Sequence, residues 1–306
     1  MTRPPRDRAV GPWAREKLES LAAYLDYYTK VLKNQDWLRA TWFVDAFAGA
    51  GFSPVRRSAQ ASSGEPLLFD DIFASRPEPE QVEYVKGSPR IALEVANPFT
   101  HYLFIERVPE LVSELDGLRA EFPNRSIDIR SGDANEELQR FLALQIARKT
   151  NRGVVFLDPF GMNVPWTTVA DIARTRWLEV IINFPLHMAI DRLLTRTGDI
   201  PQAWQERLDS TLGSGEWREL VYERQMDLLG DKVAKREDAA GRVLGWFRGR
   251  LGEAFGFVSP AQLISNTRGN PLYYLLWAGP HAAGLKGADY ILGRKQREIS
   301  RSARED

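Results

Sequence analysis

Apolar positions along this chain switch between two periods, and the switches mark its elements. Over 14–33, AREKLESLAAYLDYYTKVLK, Leu18, Leu21, Leu25, Tyr28 and Val31 recur at three- and four-residue steps, which predicts an amphipathic helix. The run TWFVDAFAG that follows is apolar and ends in small residues, the pattern of a buried strand entering a tight turn. Residues 53–85 mix Pro and Ser with a short apolar piece, Leu67 to Phe73, and predict a loop with a brief helix. A helix is expected after Gly87-Ser88-Pro89, through Val95. From there the alternation is regular. Strand HYLFIE (101–106) precedes a helix near 108–121, and SIDIRSG (126–132) precedes one at 134–148. GVVFLDP (153–159) precedes VPWTTVADIART, and WLEVIINFP (177–185) precedes HMAIDRLLT. Strand and helix alternating at this spacing predict a doubly wound α/β fold, a parallel sheet with helices on both faces.

Two later segments depart from that rhythm. Residues from about 201 to 253 carry Trp204, Leu208, Leu212, Trp217, Leu220 and Met226 and predict an inserted helical region. Residues 255–278 hold two β-rich runs flanking Asn266 to Asn270, a C-terminal antiparallel hairpin. A helix over Ala288 to Ser300 closes the chain, and no internal repeat interrupts it. The expectation is a single domain over 1–306 with the helical insertion inside it.

Composition narrows the chemistry. With no cysteine among 306 residues, disulfides, thiolate metal ligands and cysteine nucleophiles are excluded. The three histidines, His101, His187 and His281, are scattered and have no clustered carboxylates, so a metal site is not expected. Lysine plus arginine equals aspartate plus glutamate at 41 each, which argues against strong nonspecific binding to long duplexes but leaves room for a local basic patch. Arg3, Arg6 and Arg8 at one end, and Arg294, Lys295, Arg297, Arg301 and Arg304 at the other, are the candidates, read plainly as solvated ends. No apolar run reaches the length of a membrane span and no secretory h-region follows the N-terminal arginines, so a cytoplasmic protein is expected.

In an open α/β sheet, ligands bind beyond the carboxyl ends of the strands. The strands here end in Asp45-Ala46-Phe47-Ala48-Gly49-Ala50-Gly51, in Glu106, in Gly132-Asp133-Ala134 and in Asp158-Pro159-Phe160-Gly161. Four carboxylates at neighbouring strand ends repel one another unless a cationic or hydroxyl-rich ligand lies between them. S-adenosylmethionine offers a ribose, an adenine amine, an α-ammonium and a sulfonium. A dinucleotide is less suited, because the third glycine of its fingerprint is replaced by Pro54.

The ordered motifs FVDAFAGAG, KGSP, YLFIE, SGDA and FLDPFG resemble the class I methyltransferases, and among them the three-Cys-motif partner protein family, over most of the chain. A more distant resemblance reaches the bacterial large-subunit rRNA adenine-N6 methyltransferases, which also place a long insertion between the first Gly turn and a Gly-Ser-Pro. The resemblance implies a Rossmann-like class I methyltransferase sheet binding S-adenosylmethionine. It implies that Asp45, Phe47, Gly49 and Gly51 line the methionine and ribose part, that Ser88 touches the cofactor, that Glu106 binds ribose hydroxyls, and that Asp133 with the Ala134 backbone holds the adenine amine. Lys17 matches a lysine such enzymes bring from the first helix, although its plain reading is a solvated helix lysine.

Amino-methyltransferases usually carry Asp or Asn, then Pro-Pro and an aromatic. Here the second proline is missing, and Asp158-Pro159-Phe160-Gly161 instead resembles tRNA guanine-N2 dimethyltransferases. Both chemistries face a conjugated amine, a poor nucleophile. The Asp158 carboxylate and Pro159 carbonyl are the expected acceptors for its two N–H groups, and Phe160 the expected stacking surface for an extruded base. Asn183-Phe184-Pro185 is a secondary candidate for the base pocket, read first as packing, and Trp166 a candidate for substrate stacking. The expected function is methyl transfer from S-adenosylmethionine to an exocyclic amine of a nucleic-acid base. A small-molecule or protein methyltransferase, and a non-catalytic partner of a three-Cys-motif protein, remain open.

Overall fold

The computed structural model describes residues 13–54, 84–144, 149–227 and 230–294. The apolar piece Leu67 to Phe73 and the terminal arginines other than Arg294 lie outside the described residues. Helix α1 (Trp13–Leu32) is followed by β1 (Ala40–Asp45), a short ribbon of β2 (Phe52–Pro54) and β3 (Tyr84–Lys86), and α2 (Ser88–Leu93). The alternating part comprises β4 (His101–Glu106), α3 (Pro109–Glu121), β5 (Ser126–Ser131), α4 (Ala134–Leu144), β6 (Asn151–Leu157), α5 (Trp166–Arg174) and β7 (Leu178–Phe184). A π-helical turn (Leu186–Ile190) and α6 (Asp191–Leu193) then lead to α7 (Gln202–Leu212), α8 (Trp217–Val221), β8 (Tyr222–Asp227), β9 (Gly230–Lys235) and α9 (Ala239–Phe255). The chain closes with β10 (Phe257–Val258), β11 (Gln262–Ser265), β12 (Pro271–Gly279) and α10 (Ala282–Leu292).

The main sheet runs β10-β12-β7-β6-β1-β4-β5, with β11 also paired to β12. Strands β7, β6, β1, β4 and β5 are mutually parallel, and β12 enters antiparallel beside β7. Renumbered along the sheet, this is 3-2-1-4-5-7-6 with strand 7 reversed, a doubly wound α/β sheet of the class I methyltransferase type closed by an antiparallel hairpin. The chain leaves β1 to build one half and returns at β6 to build the other, so a crevice opens between β1 and β6 at the carboxyl edge.

Side chains alternate across each buried strand. Phe43, Tyr102, Phe104, Val154, Phe156 and Ile181 face a core shared with α1, α2, α3 and α10. Val44, Leu103, Ile105, Val155, Leu157, Val180 and Ile182 face a core shared with α4, α5, α7, α8 and α9. Burial on both faces explains why these strands read as continuous apolar runs. One exception sits inside β7: Glu179 is 3 % exposed and accepts a hydrogen bond from the Tyr24 hydroxyl at 2.5 Å. Burial raises its carboxyl to about 8.

Two sequence expectations need correction. The 201–253 region is mainly helical, but β8 and β9 form an antiparallel hairpin within it, and Met226 lies on that hairpin, 90 % exposed. The stretch YERQMD mixes polar and apolar residues in a way that fits helical and strand periods equally, and only pairing with GDKVAK decides it. The last helix begins at Ala282 rather than Ala288, because small residues Ala283, Gly284 and Gly287 let it pack closely on α1 and β12. A Cβ at Gly287 would lie 2.1 Å from the Tyr27 ring. Helix α4 follows the expected helix over Ala134–Leu144, and residues 145–148 of that expectation lie outside the described residues.

Candidate active site

The turn after β1 is shaped by backbone geometry. Gly49 has φ +61°, the left-handed region where a glycine carries no Cβ penalty, and open space lies on its Cβ side. Its N–H donates to Glu106 Oε2 at 2.8 Å, joining the ends of β1 and β4. Gly87 of the Gly-Ser-Pro turn is just as constrained: a Cβ there would lie 2.2 Å from the Ala50 carbonyl oxygen. Its N–H donates to Gly51 O at 2.9 Å. The two turns therefore interlock, and the long insertion between them leaves and returns through the β2–β3 ribbon, where Phe52 pairs with Lys86.

Asp45 is fully buried behind this turn. Its Oδ1 accepts the Phe47 N–H at 3.2 Å, and the Ser88 hydroxyl bonds to the same carboxyl group. Oδ2 is buried with no hydrogen-bond partner among the described residues. Burial raises the Asp45 carboxyl to about 7; the Ser88 and Phe47 bonds oppose the rise, and the charges of Asp158 and Glu106 add to it. Three strand-end carboxylates thus feel one another across the crevice, and one of them holds an unsatisfied oxygen there.

Asp158 follows β6. Its Oδ2 accepts from the Lys17 ammonium and its Oδ1 accepts from Asn183 Nδ2 at 2.7 Å. Lys17 is not a solvated lysine: it is 8 % exposed, with its ammonium 5.6 Å from the Tyr273 ring centroid. Burial raises the Tyr273 hydroxyl first, and the Asp158 charge raises it further. The signal was present in the helix period, since Lys17 shares the buried face of α1 with Ala14, Leu21, Tyr24 and Tyr28. Asn183, read first as packing, is a direct partner of Asp158. Tyr273 was missed because β12 reaches the site only through its antiparallel pairing with β7.

Pro159 is buried whereas Phe160 is 91 % exposed, so the ring of Phe160 has no place in the core. The loop beneath it is fixed: Asn163 Nδ2 donates to Phe160 O at 2.5 Å, Arg207 donates to Asn163 Oδ1 at 3.0 Å, and Asn135 donates to Asn163 O at 2.9 Å. The loop thus holds an exposed aromatic ring in a fixed position. Trp166, by contrast, is a packing residue. Its ring meets Phe247 edge-on at 5.7 Å and carries the Arg250 guanidinium at 4.1 Å. Phe184 stacks on Phe247 at 4.2 Å.

The remaining residues are placed as follows. Glu106 Oε1 accepts the Arg107 and Val108 N–H groups at 2.8 Å each, which orients it toward the turn after β1. Asp133 Oδ1 accepts the Asn135 and Glu136 N–H groups at 2.9 and 3.3 Å, so it caps α4 while standing exposed at the same sheet edge. Ala134 is buried against the core, and Phe47 packs against it from the rim. Gly51 is a packing glycine, since a Cβ would lie 2.9 Å from Leu118. Among the described residues no cluster of three His, Asp or Glu side chains is arranged to hold a metal ion. No described helix is long and apolar enough to cross a membrane.

No protein-family model matches the sequence, and no curated protein matches it. Solved structures align at low identity. A protein of Legionella pneumophila str. Philadelphia 1 is 13 % identical over 89 % of this chain and 91 % of its own, with a TM-score of 0.45. The putative methyltransferase yhhF from Escherichia coli is 10 % identical over 84 % of this chain and 86 % of its own, at 0.34. Aeropyrum pernix fibrillarin, solved with natively bound S-adenosyl-L-methionine, is 10 % identical over 69 % of this chain and 75 % of its own, at 0.29. The fold of the present chain is defined by its own strand order and register.

Proposed function

We propose that this protein is an S-adenosylmethionine-dependent methyltransferase acting on an exocyclic amine of a nucleic-acid base. The observation that carries the reading is the pairing of a held carboxylate with a bare aromatic: Asp158, fixed by Lys17 and Asn183, stands two residues from the 91 % exposed Phe160.

The cofactor's fit rests on the crevice. The unpartnered Asp45 Oδ2 suits a cationic group, Glu106 suits a diol, and Gly49 leaves open space for close approach. In this reading Asp133 and the Ala134 backbone take the adenine amine. When bound, the cofactor supplies an electrophilic methyl on a sulfonium. The chain's own residues then hold the acceptor. A carboxylate offers about four lone-pair sites. Lys17 and Asn183 use one on each oxygen of Asp158, which leaves capacity for one N–H of the target amine while the Pro159 carbonyl takes the other. Both bonds favour a pyramidal nitrogen whose lone pair is free. The lysine and asparagine fix the acceptor before substrate arrives, so alignment is built in rather than assembled at each turnover. Phe160 supplies the stacking face, worth roughly 1–3 kcal/mol per base.

In this reading residues 201–253 form a cap on the same domain, with Arg207 steadying the Phe160 loop. The motif order adds a three-Cys-motif protein as a partner of the enzyme. The deciding experiment is transfer of tritiated methyl from S-adenosylmethionine to tRNA, rRNA, DNA and protein pools, followed by nucleoside analysis. Label in an N-methylated base is the expected result. Label confined to protein, or absent from every pool although the cofactor binds, overturns the assignment.

A further inference from the structure

A second concave site lies at the opposite end of the sheet, where β6 and β7 begin. The cleft has a volume of about 860 Å³, and its charged lining is dominated by one sign, Lys149, Arg152, Arg174 and Arg176 against Asp171, with His281 beside them. Asp171 is already paired with Arg174 at 2.7 Å. Arg152 donates to the backbone carbonyls of Lys149 and Asn151 at 3.2 and 2.7 Å, and no ion pair joins it, Lys149 or Arg176 to a carboxylate among the described residues. Burial raises the carboxyl of Glu179, the buried acid that feels Arg152, to about 8. In a chain whose charges sum to zero, such a concentration of uncompensated cations in one cleft focuses a positive field there.

Two further features point into the same cleft. Arg176 has φ +60°, the left-handed conformation that favours glycine at the end of a helix, yet an arginine occupies it just after α5. That backbone carries strain that a glycine would not, and the side chain of Arg176 lines the cleft. His281 Nε2 is buried with no hydrogen-bond partner among the described residues. Burial, then the charges of Arg152 and Arg176, keep this imidazole below its ordinary pKa.

We propose that this cleft is a phosphate-binding site, taking the phosphate group of a nucleotide or of a nucleic-acid backbone. Forked guanidiniums match phosphate oxygens, a lysine adds a further cationic donor, and the one lining carboxylate, Asp171, is already held by Arg174. The site is separate from the crevice at the other strand ends by the length of β6, roughly 20 Å at about 3.3 Å per residue. It therefore stands whether or not the chain transfers methyl groups.

The test uses the full chain and its three histidines, whose ring protons are few enough to resolve by proton NMR. Titration with inorganic pyrophosphate, and separately with a 5′-phosphorylated single-stranded RNA, should shift the His281 signals and leave those of His187 in place. Arg176→Gly should weaken the affinity at least tenfold. It should leave the melting temperature unchanged or raised, because glycine relieves the backbone, and leave adenosylhomocysteine binding unaltered. Saturable binding of pyrophosphate identifies a free phosphate compound as the source. Binding of RNA alone, lost in Arg176→Gly, identifies a nucleic-acid backbone. If neither probe moves His281, or Arg176→Gly binds both as tightly as the native chain, the site does not exist. Failure to bind adenosylhomocysteine with phosphate binding intact would instead count against the methyltransferase reading alone.

Discussion

Phe160 and Asp158 sit two residues apart and answer to different physics. Phe160 is 91 % exposed, so Phe160→Ala should change stability by no more than about 0.5 kcal/mol. If its ring stacks on a base, the same change should weaken substrate affinity by roughly 1–3 kcal/mol. Melting temperature and KM measured on one variant separate the two effects, and a large stability loss with unchanged KM would remove the stacking role. Asp158 is the opposite case. Its bond to the 8 % exposed Lys17 makes it part of the fold as well as of the proposed chemistry, so Asp158→Ala leaves an ammonium without its counter-charge. A loss of about 1–3 kcal/mol is expected, below the full cost of a deeply buried pair because Asp158 is partly open. Lys17→Met combined with Asp158→Ala should recover much of it, a coupling that a double-mutant cycle reads directly. Asp45 carries a pH signature. Its native carboxyl is raised from 3.8 to about 7, so between those values the folded chain holds a proton that the unfolded chain has lost. The Asp45 contribution should therefore fall as pH rises through that window and level off above it, beside a similar fall from Glu179 that reaches to about 8, and Asp45→Asn should remove the Asp45 part of the profile. Denaturant midpoints at intervals from pH 4 to 8 provide the check. Asp45→Asn should also abolish cofactor binding.

Among the elements, the cap over α5 shows how a single turn is fixed. Gly213 ends α7 with φ +84°, and a Cβ there would lie 2.4 Å from Trp166 Cγ and 2.6 Å from Arg250 Nη1. Trp166 in turn holds Phe247 and Arg250 of α9. Gly213→Ala combines a left-handed backbone with a clash against a ring that cannot yield, and should cost roughly 2–4 kcal/mol. Thermal unfolding reads this loss. Because α7 also supplies Arg207 to Asn163, the same variant should loosen the Phe160 loop and raise KM more than it lowers kcat. The π-helical turn Leu186–Ile190 begins three residues after Asn183, so an irregular helix starts close to where the strand delivers a partner to Asp158.

At the scale of the whole molecule, the doubly wound sheet gathers Asp45, Glu106, Asp133 and Asp158 at one edge and places the basic cleft at the other. A ligand that satisfies the first edge should stabilise the entire fold by mass action. At a concentration 100 times its dissociation constant, adenosylhomocysteine should add about 2.7 kcal/mol, seen as a rise in melting temperature. Glu106→Ala should weaken that binding by roughly 1.5–3 kcal/mol, because charge-assisted bonds to a diol are lost. It should also loosen the turn after β1, since Gly49 donates to this carboxylate. No thermal shift in the native chain would defeat the cofactor assignment.

The alternation of apolar periods by itself determined the parallel half of the sheet, its helices and the late hairpin, because strands buried on both faces and helices buried on one leave distinct patterns in sequence. It also delivered the strand-end carboxylates in order. What it left open has a common physical reason: the outcome depended on residues far apart in the chain. The β8–β9 hairpin exists through pairing, not periodicity. Lys17 joins Asp158 across 141 positions, and Tyr273 comes to the same cluster on a reversed strand. The exposure of Phe160 and the packing of Trp166 could not be separated by residue type, since both are aromatic and eight or fewer positions from Asp158. Only the tertiary structure, which gives one ring a neighbouring helix and the other open solvent, decided between them.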